Sequence, residues 1–176
     1  IEPDSNGRVR LDYTVPSRGL IGFRSEFMTI TRGLGLMYHT FQRYADRAQA
    51  KIGERANGVL VSIAAGKSLA YALFNLQARG RLFIGPSEQV YEGMVIGIHS
   101  RSGDLVVNPL KAKQLTNIRA DGSDENIVLT PPLQLTLETA IEFINDDELV
   151  EVTPAAIRVR KKLLREHERK RAARAA

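Results

Sequence analysis

The residues best suited to nucleotide chemistry in this chain are Gly66, Lys67 and Ser68, which follow an apolar run and precede a helical pattern. A glycine, a lysine and a hydroxyl side chain in that setting are typical of a loop that cradles phosphate. The full pattern also needs a glycine five residues before Gly66, where Val61 stands. We therefore predict a strand-to-helix turn with Ser68 as the helix cap, and no nucleotide site.

Metal-binding and acid–base chemistry have little support in the side chains present. The three histidines, His39, His99 and His167, are far apart and have no partners at ligand spacing. The acidic run 146–148 has oxygen ligands suited to Mg²⁺, but a solvated helix end is the simpler interpretation. Cysteine is absent, which excludes a thiol nucleophile, a zinc knuckle and a disulfide scaffold and fits the reducing cytosol. We predict neither a catalytic residue nor a metal site.

Phosphate recognition is the chemistry that the charge pattern supports. The formal net charge is +5; residues 158–174 carry +7, which leaves −2 for residues 1–157. The segment 138–151, directly before this basic tail, holds six acidic residues and no Lys or Arg. Such asymmetry is typical of an arm that binds nucleic acid, and a solvated terminus is the alternative. The tail residues predicted to bind RNA are Arg158, Arg160, Lys161, Lys162, Arg165, Arg169, Lys170 and Arg171.

A second basic segment lies within a long stretch, 108–132, that has no sustained periodicity. Loops longer than about 12–15 residues are uncommon in compact domains unless they are functional or disordered. No aromatic residue lies between positions 92 and 142, so recognition of structured RNA by shape and charge is favoured over base stacking. The loop residues predicted to bind RNA are Lys111, Lys113, Gln114, Thr116, Asn117 and Arg119.

The elements that must position these residues form two groups, separated by a polar, aperiodic stretch at 45–57. In the first group, residues 8–15 alternate as a strand, a helix runs from Ser17 to Gly33, and 36–44 is again strand-like. This β-α-β unit is too small to be stable alone. Because the chain also begins in mid-pattern, we expect a fragment of a longer protein.

The second group predicts a mixed, β-rich domain with two to three helices and the long loop. One helix begins at Ser68 and ends at Gly80, and another begins near Thr136. A hairpin crosses Pro154, and the chain is helix-prone from Leu163. Further strands are predicted at 58–63, 81–84, 94–98 and 104–108, and the inward residues of the second helix at Leu137, Ala140, Ile141 and Ile144. The fold class is α+β, and no apolar run is long enough to span a membrane.

Several long motifs of the chain resemble the TypA/BipA family of translational GTPases. The matching runs are VPSRGLIGFRSEF from position 15, YALFNLQARGRLF from 71, YEGMVIG from 91, GDLVVN from 103, KQLTNIRA from 113 and DDELVEVTP from 146. The resemblance implies that residues 1–47 are the back half of a ferredoxin-like unit similar to domain V of elongation factor G. Residues 48–176 would then be the C-terminal domain peculiar to the family.

The resemblance also implies a function. GTP and Mg²⁺ would bind a G domain upstream, so no cofactor is expected in this chain. The expected partners are the large ribosomal subunit, through its 23S rRNA, and the acceptor end of A-site tRNA near the peptidyl transferase centre, both contacted by the loop 108–132. Neither DNA nor a membrane is an expected partner. Members of the family are linked to large-subunit assembly, growth in the cold and stress responses.

Two other functions are compatible with the residues. One is a protein–protein module that binds ribosomal proteins through its acidic and basic faces, and the other is a self-contained enzyme. The chain is expected to be a monomer, although dimerisation through its incomplete sheet stays open.

Overall fold

The polar stretch in the first third of the chain separates two compact units. The computed structural model describes residues 1–3, 7–46, 55–113 and 127–175. Unit 1 is Ile1–Glu54 and unit 2 is Arg55–Ala176. The sequence places this division between residues 47 and 48. Each unit is described by itself below.

Unit 1 contains a helix and one short strand pair among its described residues. Strands β1 (Glu2–Pro3) and β2 (Val9–Arg10) pair antiparallel, and a 3₁₀ turn (Ser17–Leu20) precedes helix α1 (Phe23–Ile30). Gly33, with a φ of 79°, ends the helical region by donating its amide to the Met28 carbonyl. The predicted helix is therefore confirmed.

The two strands predicted in unit 1 form only in small part. Strand β2 covers two residues of the predicted 8–15, and the described residues 36–46 contain no strand. Alternation gives a segment an apolar face, but a strand also needs a hydrogen-bonded neighbour. No described strand of unit 1 pairs with 36–46, and Tyr38 and Tyr44 are exposed.

Unit 2 is built on a six-stranded mixed sheet. Its strands are β3 (Val59–Ser62), β5 (Gly80–Leu82), β7 (Met94–His99), β8 (Leu105–Val107), β9 (Glu148–Val152) and β10 (Ile157–Lys161). The order is β8-β3-β7-β10-β9, and β5 also pairs with β7. All pairs are antiparallel except β3 with β8. Strand β3 pairs with one edge of β7. The other edge pairs with two strands in succession: Val95 of β7 pairs with Val159 of β10, and Gly97 pairs with Leu82 of β5.

Three helices and a small second sheet complete unit 2. The helices are α2 (Ala70–Gln77), α3 (Leu137–Phe143) and α4 (Glu166–Ala175). Strands β4 (Gly66–Lys67) and β6 (Gln89–Val90) pair antiparallel apart from the main sheet. The hairpin across Pro154 is confirmed as β9 and β10, with Ile157 opposite Val152.

The main sheet has an apolar cluster on each face because successive residues of a strand point to opposite sides. One cluster holds Leu60 and Ile96 and is covered by Leu73 and Leu76 of α2. The other holds Val61 and Val159 and is covered by Ala140 of α3. The order of layers is therefore helix, sheet, helix. Because four of the five strand pairs of the sheet are antiparallel, this arrangement confirms the predicted α+β class.

Helix α3 begins where the sequence predicts and buries less than expected. Thr136 is its N-cap, and its hydroxyl accepts a hydrogen bond from the Thr139 amide. Ala140 is buried, but Leu137 and Ile141 are 40% and 48% exposed, so their predicted inward orientation is wrong. With seven residues, the helix makes about two turns, so only a narrow face of it packs against the sheet. None of the described helices is long and apolar enough to cross a membrane.

Candidate nucleic-acid interface

The first stem of the loop, residues 108–113, is fixed to the core before its lysines begin. The Asn108 side chain accepts a hydrogen bond from the Leu110 amide at 2.9 Å. Pro109 is fully buried, and its carbonyl accepts from the Leu69 amide at 3.0 Å. Leu110 packs against the cluster around Leu60. The chain thus emerges from the core at a fixed point, just before two exposed lysines, Lys111 and Lys113.

The second stem, residues 127–133, returns to the same face of the sheet. Leu129 packs against the Leu60 cluster, and the Leu133 amide donates to the Leu82 carbonyl at 2.8 Å. The Gln77 side chain bridges this stem: its amide nitrogen donates to the Val128 carbonyl at 3.0 Å, and its oxygen accepts from the Thr130 amide at 2.8 Å. Both stems are therefore anchored. The other predicted loop residues, Gln114, Thr116, Asn117 and Arg119, lie outside the described residues.

Strand β10 carries three of the predicted RNA-binding residues, and one of them is internal. Lys161 is buried, and its Nζ lies 2.5 Å from Asp104, 2.7 Å from Asp147 and 2.9 Å from Glu148. Burial alone would lower the pKa of Lys161, but hydrogen bonds to these three carboxylates outweigh it and raise that pKa. Counting Lys161 among the RNA-binding residues is therefore wrong, because its charge is compensated inside the domain.

The Glu148 carboxylate that binds Lys161 also binds Arg55, which the sequence does not single out. Arg55 donates to both carboxylate oxygens of Glu148, at 2.9 and 3.1 Å, and to the Phe143 carbonyl at 2.6 Å. Its guanidinium lies 4.1 Å from the centroid of the Phe143 ring. No spacing pattern links Arg55 to Glu148, so only the fold reveals this contact.

The two arginines of β10 are half-buried. Arg160 Nε lies 2.6 Å from Glu151, whose other oxygen hydrogen-bonds the Tyr91 hydroxyl. Arg158 stands opposite Glu151 in the ladder. Burial and the contact with Glu151 raise the pKa of Tyr91 well above its ordinary value. Much of the acidic segment is thus engaged within the domain, which reduces the acidic face on which the protein–protein alternative depends.

The C-terminal helix presents most of the remaining cations. Lys162 and Arg165, which precede it, are exposed, as are Lys170 and Arg171 within it. Lys170 pairs with Glu166 at 2.6 Å and lowers the pKa of that carboxyl. Arg169 differs, because its guanidinium turns back to the Leu163 and Leu164 carbonyls and fixes the start of the helix. Lys170 and Arg171 of the helix are therefore exposed, whereas Arg169 stabilises the start of the helix.

The segment tested for phosphate binding has a purely structural role. Gly66 and Lys67 pair with Val90 and Gln89, so they form a strand rather than a phosphate-binding turn. The Ser68 hydroxyl donates to the Gly85 carbonyl at 2.7 Å and accepts from the Glu88 amide at 3.1 Å. Leu69 is the N-cap of α2, without a side-chain hydrogen bond. The predicted cap at Ser68 is wrong, because distant backbone groups occupy its hydroxyl.

Metal coordination has no support in the part of the chain that the structure describes. Within those ranges, no group of three or more Asp, Glu or His could hold an ion. Two members of the acidic run 146–148 contact Lys161 instead. His99 hydrogen-bonds the Gly103 carbonyl at 2.8 Å.

Comparison with known proteins matches two families of C-terminal domains along the chain. Residues 57–166 match the family model of the TypA/BipA C-terminal domain, and residues 1–55 match that of the elongation factor G C-terminus. Relatives named large ribosomal subunit assembly factor BipA are 62% identical in Escherichia coli K12, over 99% of this chain, and 60% in Salmonella typhimurium, over 98%. A relative of the same name in Haemophilus influenzae is 62% identical over 97% of this chain.

The chain spans only 28–29% of the length of these relatives. Both family models describe C-terminal domains, and the TypA/BipA model alone covers more than half of the chain. Both stems of the loop lie within the match to the TypA/BipA C-terminal domain, and the basic terminal helix begins at the last matched residue. The chain belongs to the TypA/BipA family.

Proposed function

We propose that this chain is the ribosome-binding C-terminal region of a TypA/BipA-type translational GTPase. In this proposal it docks on 23S rRNA and on the acceptor end of A-site tRNA, near the peptidyl transferase centre. GTP and Mg²⁺ bind outside these residues, and hydrolysis there governs release. The whole protein then serves large-subunit assembly and adaptation to cold and stress.

The observation that carries the proposal is the name shared by the relatives, large ribosomal subunit assembly factor, together with their 60–62% identity to this chain. The geometry adds physical support. Two exposed lysines, Lys111 and Lys113, begin directly after a stem that the core holds in place. Cations on a fixed base can contact RNA phosphates with little loss of chain entropy.

Co-sedimentation with 70S ribosomes and with separated large subunits, across a salt series, tests this proposal. We compare the wild type with the variant K111A/K113A/R119A. Each lost phosphate contact flattens the slope of log K against log salt by roughly one. We therefore expect weaker pelleting and a slope reduced by about two to three.

The matched control is R79A/R81A/R101A, which removes the same charge from exposed residues of β5 and neighbouring turns. Its salt slope should stay near that of the wild type. An unchanged slope in the loop variant, or equal losses in both variants, overturns the assignment of the loop. Binding that survives ribonuclease and is reproduced with purified ribosomal proteins would favour the protein–protein module.

A further inference from the structure

The two stems of the loop are attached to opposite ends of one helix. At the N-terminal end of α2, the Leu69 amide donates to the Pro109 carbonyl. At the C-terminal end, Gln77 is the last helical residue and bridges the second stem. The helix has eight residues, which corresponds to a length of about 12 Å. It is held on the sheet by Leu73 and Leu76, so it separates the stems like a rigid spacer.

The Gln77 contact reproduces the hydrogen bonds of a neighbouring strand. Its primary amide donates to the carbonyl of Val128 and accepts from the amide of Thr130, two residues further on. A residue on an adjacent parallel strand uses the same two backbone groups, which belong to the residues on either side of the one it stands beside. The orientation of the side-chain amide is unambiguous, because one partner can only accept and the other can only donate.

Few side chains can make this bridge. Methionine has a similar length but neither a donor nor an acceptor suited to the stem. Glutamate keeps the acceptor for the Thr130 amide, but its second oxygen would face the Val128 carbonyl. Asparagine is one methylene shorter and cannot reach both groups from the same position on the helix. The contact is therefore specific to glutamine at position 77.

We infer that Gln77 is a positioning residue for RNA recognition: it fixes the second stem on one end of α2, while the other end holds the first stem, and so sets the spacing of the two stems next to Lys111 and Lys113. The inference rests on the proposed function of the loop. Both hydrogen bonds of the Gln77 side chain to the described residues go to backbone groups, so its loss changes affinity through the loop and removes no phosphate contact. The salt dependence of binding distinguishes these two effects.

The test combines amide exchange in the free chain with ribosome co-sedimentation, using Gln77→Met. The Thr130 amide should exchange about tenfold faster in the variant, since a bridge of two neutral hydrogen bonds is lost. Ribosome affinity should fall about three- to tenfold with an unchanged salt slope. A matched control is Asn75→Leu, which removes an amide that donates to the Tyr71 carbonyl of its own helix. It should change neither readout.

Each result bears on a different claim. If the Thr130 amide of Gln77→Met exchanges at the wild-type rate, the hydrogen-bonded bridge between Gln77 and the second stem is contradicted. Faster exchange with unchanged affinity overturns the positioning role, provided that K111A/K113A/R119A weakens binding. If that loop variant also binds like the wild type, the proposed function fails, and the positioning role fails with it. A flattened salt slope in Gln77→Met would also overturn the inference, because it would mean a lost phosphate contact.

Discussion

Glu148 and Lys161 stand directly opposite each other in the β9–β10 ladder, and their side chains meet at 2.9 Å with almost no access to solvent. Arg55, from the beginning of unit 2, binds the same carboxylate. Asp104, which also contacts Lys161, accepts a hydrogen bond from the Val59 amide through its other oxygen. This cluster therefore links four distant parts of the unit. Its cations are engaged inside the domain, whereas Lys111 and Lys113 of the first stem and Lys170 and Arg171 of the terminal helix are exposed.

The first prediction concerns the stability of this cluster. Lys161→Met leaves Glu148 buried next to a single cation, Arg55, and should lower the free energy of unfolding by about 3–5 kcal/mol. Urea denaturation measures this change. Lys162→Met removes the same charge from an exposed neighbour and should change stability by less than about 0.5 kcal/mol. Equal effects of the two substitutions would show that Lys161 is solvated.

The second prediction concerns alkaline pH. The folded state raises the pKa of Lys161, so the stability due to this charge is complete below 10.5, the ordinary lysine value, and is lost as pH rises through the folded pKa. The pKa of Tyr91 is also raised, by burial first and then by Glu151, and its contribution is lost in the same direction.

Comparison with Tyr91→Phe separates these two groups. We expect the free energy of unfolding of this variant to fall still as pH rises above about 10.5, but less steeply than in the wild type. If the free energy of unfolding of Tyr91→Phe is constant above pH 10.5, the whole loss of stability at alkaline pH is due to Tyr91 and not to Lys161.

The third prediction concerns the terminal helix. Lys170, Arg171 and Arg174 lie within about 100° on one face of α4, while Arg169 binds backbone carbonyls. If this face contacts RNA, K170A/R171A/R174A should flatten the salt slope of ribosome binding by about two to three. Arg169→Ala should leave the slope within about one unit of the wild type, because its guanidinium already binds carbonyls. A larger change of the salt slope in Arg169→Ala than in the triple variant would contradict this assignment.

The fourth prediction concerns a close approach of two strands. A Cβ on Gly80 would lie 1.8 Å from the Ile98 carbonyl oxygen of the paired strand. Gly80→Ala should therefore lower the free energy of unfolding by about 1–3 kcal/mol, measured by urea denaturation. Gly85→Ala is the control, since its Cβ would meet only the movable end of the Glu88 side chain, at 3.2 Å. A tolerated Gly80→Ala would contradict this packing.

The sequence was most informative where local interactions determine structure. The apolar run at Val59–Ser62, the start of a helix near Thr136 and the hairpin across Pro154 all follow from neighbouring residues. Partners distant in sequence account for the errors. Ser68 has the chemistry of a cap, but groups 17 and 20 residues away take its hydroxyl. The parallel pairing of β3 with β8 likewise has no local signal.

The candidate site was predictable in composition and only partly in geometry. A count of charges treats every cation alike, so Lys161 and Arg169 were grouped with the exposed Lys162 and Lys170. Burial distinguishes them, and burial depends on the carboxylates and carbonyls that the fold brings near. The role of Gln77 has no sequence signal, because its partners are backbone groups 51 and 53 residues away.

The pairing of β7 also has a consequence for synthesis of the chain. Residues 59–107 supply β3, β5, β7 and β8, but the part of β7 at Met94 and Val95 receives its second neighbour only from β10. That strand, Ile157–Lys161, follows β8 much later in the chain. Because translation proceeds from the N-terminus, this half of β7 lacks its β10 neighbour until Ile157–Lys161 has been synthesised. A nascent chain that stops before β10 would therefore be prone to strand-mediated aggregation.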